Sequence, residues 1–250
     1  MSPFATYPCL AGRGVFITGG ASGIGAAMVE AFHEQGARVG FVDRDAEAGR
    51  ALTARLTGSW FSAVDVRDAE ALASSATTAA SVIGPIRILI NNVADDTRHA
   101  ALDTDAAAWR DRLAVNLDPT FLAARAVQAG MAAAGGGSIV NLASINALLG
   151  PANMAAYVAA KAAIIGLTKA LAREWGPSRI RVNAISPGWV VTERQLALWL
   201  TPEAEADWAK QTALPGRILP DDVARLALFL ASDDSAMITG QNLVIDAGRT

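Results

Sequence analysis

The chain has 250 residues, 52% hydrophobic and 18% charged, with a formal net charge of −3. This fits one large α/β domain with a well-buried core and excludes a disordered chain. The small charge and the absence of a basic run argue against nucleic acid, the single cysteine (Cys9) against a disulfide framework or Cys-rich metal site, and the absence of a run of ~18 apolar residues against a membrane span.

Met1–Pro8 lacks the basic start and apolar core of a leader, so a soluble cytoplasmic protein is expected. Gly14–Thr18 then predicts a buried first strand, followed by Gly19-Gly-Ala-Ser22-Gly23-Ile24-Gly25 and a helix over 23–35. Glycines allow a tight turn and close backbone approach, and a helix N-terminus offers free N–H groups to a pyrophosphate. The order strand, glycine loop, helix is the context a dinucleotide site requires.

Arg38–Val42 predicts the second strand, ending at Asp43. A carboxylate there can accept both ribose hydroxyls of NAD and repel a 2′-phosphate, or simply cap the next helix. Arg44 pulls the other way, since it can pair with a 2′-phosphate. The expectation is NAD as cofactor, with NADP use possible. A helix over 45–56, a strand over 59–64 and a helix over 68–83 follow, stopped by Gly84-Pro85. Ile86–Ile90 predicts the fourth strand, followed by Asn91-Asn92-Val93-Ala94 and the polar run Asp95–His99. That run lies where ligands bind in open α/β sheets, but a solvated loop accounts for it equally, and His99 reads as a surface histidine. His33 reads as structural or solvated.

One long helix is expected over 105–134, with Asn116 inside it, although an Asn amide competes with helical hydrogen bonds. The fifth strand, over 138–144, ends at Ser144. After a loop over 145–153, a helix over 154–175 carries Tyr157 and Lys161, which share a face at i and i+4. Such a pair alone usually means packing plus a solvated amine. Beside Ser144 it suggests proton transfer: an ammonium lowers a phenol from its usual pKa of ~10, and Ser144 can hydrogen-bond the same substrate oxygen. The sixth strand is expected over 179–186, followed by Pro187-Gly188 and two short helices within 193–215, broken at Thr201-Pro202. Residues 189–216 read as a substrate lid. Trp189 is the pocket candidate, and Trp199 and Trp208 read as core. A helix over 221–231 and a strand over 242–246 complete a single domain, 1–250. Alternating strands and helices predict a Rossmann-type, doubly wound, parallel sheet of seven strands with helices on both faces.

In combination, the glycine loop, Asn91-Asn92-Val93-Ala94, Ser144, Tyr157, Lys161 and Pro187-Gly188-Trp-Val-Val-Thr192 resemble the short-chain dehydrogenase/reductase family, over about Gly12 to Gly248. Ala94 departs from the family's glycine. The resemblance implies strand order 3-2-1-4-5-6-7, a homotetramer and a catalytic set of Asn116, Ser144, Tyr157 and Lys161. Ser144 would hold the reacting oxygen, Tyr157 would act as acid/base, Lys161 would tune Tyr157 and bind the nicotinamide ribose, and Asn116 would hold a water linked to Lys161. Gly19, Ser22, Gly23, Ile24 and Gly25 would receive the pyrophosphate, Asp43 and Arg44 the adenosine ribose, and Asp65 and Val66 the adenine. Asn91 and Asn92 would approach the cofactor, while Pro187, Gly188, Val190 and Thr192 would hold the carboxamide.

Asn92–His99 and Trp189–Gln195 further resemble the aldose 1-dehydrogenase branch, which implies oxidation of a pentose, 6-deoxyhexose or hexose at its anomeric hydroxyl to a lactone. Ser144, Asn146, Asn153, Tyr157, Trp189 and Gln195 would meet the sugar, with Arg194 and Asp95 nearby. The rival readings are a 3-oxoacyl-thioester reductase, a polyol or secondary-alcohol dehydrogenase, and, from another class, a non-catalytic dinucleotide-binding scaffold. No metal is expected.

Overall fold

A computed structural model describes residues 5–250; the leader reading of Met1–Pro8 falls in part on residues 1–4, outside the described residues. The chain alternates β1 (Gly14–Thr18), α1 (Gly23–Glu34), β2 (Arg38–Asp43), α2 (Ala46–Arg55), β3 (Trp60–Ala63), α3 (Ala69–Ile83) and β4 (Ile86–Asn91). Then come α4 (Ala106–Asn116), α5 (Asp118–Ala133), β5 (Gly137–Leu142), α6 (Asn146–Leu149), α7 (Ala155–Trp175) and β6 (Ile180–Pro187). The chain closes with α8 (Glu193–Leu198), α9 (Pro202–Ala209), α10 (Pro220–Ala231) and β7 (Asn242–Ile245). All seven strands form one parallel sheet in the order β3-β2-β1-β4-β5-β6-β7.

Strand side chains alternate between two cores. Val15, Ile17, Ile88 and Ile90 face α1 and α10, while Phe16 and Leu89 face α3, α5 and α7. Covering both faces explains why β1 is buried along its whole length. Helix starts follow local chemistry. Asp45 accepts the N–H groups of Glu47 and Ala48, Asp68 those of Glu70 and Ala71, and Thr201 that of Ala204, with Pro202 opening α9.

The long helix expected over 105–134 is two helices. It breaks at Leu117 (φ −126°, ψ −56°), because the Pro119 ring would collide with the carbonyl one turn back in a continuous helix. The fifth strand ends at Leu142 rather than Ser144, yet one-sided pairing continues: Ala143 N–H donates to Ile185 O and Ile145 N–H to Pro187 O. The loop expected over 145–153 contains the short helix α6.

A buried polar ladder ties the sheet to α5 and α7. Asn91 Nδ2 donates to Asn141 Oδ1 (2.9 Å) and Thr120 O, and Asn141 Nδ2 donates to Thr168 Oγ1 (3.0 Å). By length and apolarity α7 could span a bilayer, but its apolar face packs on the sheet, with Ala160, Lys161, Ile164 and Thr168 buried.

Candidate active site

The C-terminal ends of the strands surround a cavity of about 1070 Å³. That is at the upper end for a site holding one small ligand, with room for two. One wall is the β1–α1 turn. Gly19 (φ +68°) and Gly23 (φ +53°) adopt the left-handed backbone that favours glycine. A Cβ on Gly25 would lie 1.8 Å from the Gly19 carbonyl oxygen, so this glycine packs under the turn rather than lining the cavity. Ser22, the N-cap of α1, makes no side-chain cap bond, which leaves first-turn N–H groups available to an anion beside Ile24. Asn92 Nδ2 donates to Gly19 O at 2.8 Å and braces the turn from β4. Asn92 lines the cavity; Asn91 does not, being engaged in the polar ladder.

Asp43 sits at the end of β2 on the cavity wall. Its Oδ2 accepts Ala21 N–H and its Oδ1 accepts Asp45 N–H, both at 3.0 Å. It therefore locks the glycine turn while Asp45 caps α2, and each oxygen keeps a lone pair for a ligand. Arg44 lines the same wall and makes no salt bridge among the described residues. Beyond it lie Asp65 and the buried Val66. Arg67, which the sequence did not single out, bridges Asp65 (2.5 Å) and Asp111 (2.9 Å) and holds the Asp65 carboxyl below its usual range. Another part of the wall is formed by Pro187, Gly188, Val190 and Thr192. Thr192 caps α8 through Gln195 N–H, and its methyl would be 3.3 Å from a Cβ on Gly23. The turn and this wall thus close on the cavity from two sides. The glycine cradle, the open helix N-terminus and the Asp43 carboxylate fit a dinucleotide.

Ser144, Tyr157 and Lys161 meet at the cavity's inner end, all three buried. Burial pushes the Tyr157 pKa up to about 12; a hydrogen bond from Ser144 opposes this, the Asp96 charge adds to it, and Arg98 opposes it. Lys161 Nζ donates to Leu142 O at 2.7 Å and lies 5.7 Å from the centroid of the Tyr157 ring. Burial lowers its own pKa to about 8. The expected drop in the tyrosine pKa beside lysine is therefore not seen in the protein alone, because desolvation of the phenol outweighs its neighbours.

Asn116 is buried but does not line the cavity. Its Oδ1 accepts Asp95 N–H (2.8 Å), and its Nδ2 donates to Asp95 O (3.1 Å) and Arg112 O (3.0 Å). The side chain clamps the loop after β4 and has no donor left for a water.

At the outer end, Asn146, Trp189 and Gln195 line the cavity as expected. Asn153 does not. It is exposed at φ +60°, a conformation Asn tolerates, and its carbonyl accepts His99 N–H. Trp208, read as core, both packs inside and lines the cavity, edge-on to Trp189 at 6.1 Å. Trp199 stays off the cavity, under the Arg98 guanidinium at 4.9 Å. Asp96 is the main omission. Its Oδ2 accepts Gln195 Nε2 (2.8 Å) and its Oδ1 accepts Arg194 (3.2 Å), while Trp189 Nε1 donates to Gln195 Oε1 (2.7 Å). Arg249, also missed, stacks 5.0 Å from the Trp208 ring. Two adjacent aspartates and a late arginine carry no spacing signal in sequence; only the fold brings them to one place.

The sequence model of the family described as enoyl-(acyl carrier protein) reductase matches residues 19–250. The chain is 47% identical to a "probable galactose dehydrogenase" of Rhizobium meliloti and 45% identical to a D-xylose 1-dehydrogenase of Caulobacter vibrioides; each match covers 98% of this chain and 98% of the relative. Among solved structures, a 7α-hydroxysteroid dehydrogenase complexed with NADH and 7-oxo-glycochenodeoxycholic acid superposes with a TM-score of 0.93 at 29% identity, covering 97% of this chain and 96% of that one. The cofactor is a nicotinamide dinucleotide and the substrate a small molecule bearing a CH–OH group. With its sheet order, its glycine cradle and these relatives, the chain belongs to the short-chain dehydrogenase/reductase family of oxidoreductases.

Proposed function

We propose that this enzyme oxidises the anomeric hydroxyl of an aldose (a pentose, 6-deoxyhexose or hexose) to a lactone, with NAD preferred to NADP. The observation that carries the substrate class is the polar outer end of the cavity. Asp96, Asn146, Arg194 and Gln195 line it beside Ser144 and Tyr157 as a network of half-exposed donors and acceptors, which can extend its hydrogen bonds to several hydroxyls of one ligand. A polyhydroxylated substrate supplies those hydroxyls, whereas a short aliphatic alcohol supplies one oxygen. The names of the two sugar-dehydrogenase relatives support the same reading. Asp43 supports the NAD preference, since its carboxylate would repel a 2′-phosphate.

Gly19, Ser22, Gly23, Ile24, Asp43, Arg44, Asp65, Val66, Asn92, Pro187, Gly188, Val190 and Thr192 hold the dinucleotide, with Gly25 packed beneath. When bound, the oxidised cofactor would supply the hydride acceptor and a positive charge. Ser144 hydrogen-bonds the anomeric oxygen and orients it toward Tyr157, which, once ionised to the phenolate, takes the hydroxyl proton. Lys161, hung from Leu142 O, faces the phenol and would bind the cofactor's ribose. Asn116 acts through the backbone of Asp95 as a positioning residue. Residues 189–216 form a lid on a single domain, 1–250, and the protein works as a cytoplasmic homotetramer. Trp109 of α4 and Phe121 of α5 are exposed aromatic groups available to a second copy.

The test is NADH absorbance with NAD over a panel of aldoses, polyols, secondary alcohols and 3-hydroxyacyl thioesters, with the product identified by mass. Fast turnover of an aldose with lactone formation is expected. A panel in which every aldose is inert while a polyol, secondary alcohol or thioester reacts sinks the sugar reading.

A further inference from the structure

We infer that His99 is a positioning residue for the helix that carries Tyr157 and Lys161. The inference rests on the catalytic reading of Tyr157 given above. Helix α7 starts without a local cap: its N-cap residue is Met154, and no side chain of its own segment accepts a first-turn N–H. His99 supplies that acceptor from the loop after β4. Its Nε2 receives Ala156 N–H at 3.1 Å, one residue before Tyr157. Its Nδ1 lies 3.1 Å from Thr97 O. A carbonyl can only accept, so Nδ1 carries the proton and Nε2 the lone pair; the neutral ring is satisfied at both ends. The backbone adds to the stitch, with His99 N–H donating to Asn153 O (2.8 Å) and His99 bridging Met154 in parallel.

A protonated ring would turn a donor toward the Ala156 donor and place a cation at the positive end of α7. Little nearby offsets that charge. The segment Gly150–Ala156 carries no charged side chain. From α4, Arg112 donates to the same Thr97 carbonyl (3.2 Å). On the histidine's own loop, Arg98 is a cation, Asp95 accepts from Thr97 and Arg194, and Asp96 is held by Arg194 and Gln195. The ring is thus built into the site as a neutral acceptor that holds the first turn of α7, and with it the phenol, in place.

The test compares wild type, His99→Ala and His99→Gln, the last offering a neutral acceptor in place of the ring nitrogen. Deuterium uptake by the 153–160 segment is measured in the protein without cofactor, and kcat and KM for NAD are measured with the best substrate. In His99→Ala, uptake should rise about fivefold, the effect of losing a helix cap. Its kcat should fall about tenfold, the effect of a misplaced reacting group, at unchanged KM for NAD. His99→Gln should stay within about twofold of wild type at pH 8, by the same capping argument. Wild-type uptake or wild-type kcat in His99→Ala, or a Gln variant as impaired as the Ala variant, overturns the inference. Failure of the catalytic reading is seen separately, as full turnover in Tyr157→Phe, and leaves the uptake result intact.

Discussion

At the scale of single residues, the chemistry turns on one phenol. Burial holds Tyr157 at about 12, so near neutrality it keeps its proton until substrate and cofactor are in place. Oxidation needs the phenolate, so kcat for NAD reduction should climb from pH 6 to 9, by up to about tenfold per pH unit where ionisation limits the rate. Tyr157→Phe should lose ~10²–10⁴-fold at the alkaline end of that range and lose the slope, so that its deficit narrows toward pH 6, while NADH binding, followed by fluorescence, persists. A flat wild-type profile would remove phenolate formation from the rate-limiting events. For folding, the same shift works with the opposite sense. A tyrosine raised from 10 to about 12 is stabilising below pH 10, and that contribution is lost as pH rises toward 12. Lys161, lowered to about 8, carries the burial penalty of its charge below pH 8 and is relieved of it between 8 and 10.5. Ser144, Tyr157 and Lys161 were legible in sequence because fixed spacings on a strand end and a helix face bring them together. Their protonation was not, because it depends on how much water the fold removes. Asn153 and His99 exchanged roles for a similar reason: a left-handed turn directs one outward and the pairing of two loops draws the other in.

At the scale of elements, the 189–216 segment, proposed above as a lid, and the loop after β4 hold each other. Arg194 reaches Asp95 (3.3 Å) and Asp96 (3.2 Å), Gln195 reaches Asp96, and Arg98 covers Trp199. The arginine is 46% exposed, so each of its pairs is worth only about 0–1 kcal/mol. Such a latch is weak enough to open in every cycle. Arg194→Ala should raise the substrate KM by about 2–10-fold while leaving kcat equal or higher, because closing weakens and product release quickens. Steady-state kinetics check this, and added salt should move the wild type in the same direction as the mutation. A kcat collapse at unchanged KM would instead make Arg194 part of the chemistry. Helices α8 and α9 could be read in advance as two patterns broken at Thr201-Pro202, since caps are local; the cap that Thr192 gives α8 was not. The break at Leu117 was missed because helical periodicity runs through it, although Pro119 held the signal. The latch had no sequence signature, its partners lying about a hundred positions apart.

For the whole molecule, the cavity gathers the ends of β1, β2, β4, β5 and β6, so ligand binding there should report on global stability. At 100 times Kd, a ligand that binds only the folded state adds about 2.7 kcal/mol. For a chain of this length that corresponds to a melting shift of about 5–10 °C. NAD should give a larger shift than NADP at equal concentration. Asp43→Asn should narrow the gap, since the amide keeps one acceptor for Ala21 N–H while removing the charge that repels a 2′-phosphate. Equal shifts for the two cofactors in the wild type would show that Asp43 does not face the ribose. The topology was legible at this scale because strand and helix patterns alternate without a gap from Gly14 to Ile245, and parallel connections leave few arrangements. The outer end of the cavity was less so, because Trp208 and Arg249 enter it from segments far from any motif.

The ladder from Asn91 through Asn141 to Thr168 also bears on how the chain avoids wrong packings. Helix α7 is rich in alanine, and an apolar face of small residues could slide or turn on the sheet at little cost in contact. Shifting it by one residue would strand the Asn141 amide and the Lys161 ammonium away from Thr168 and Leu142, each burying a polar group without a partner. These two rungs therefore act as an alignment key. They leave one azimuth and one depth at which the helix can seat, and that seating puts the phenol beside Ser144.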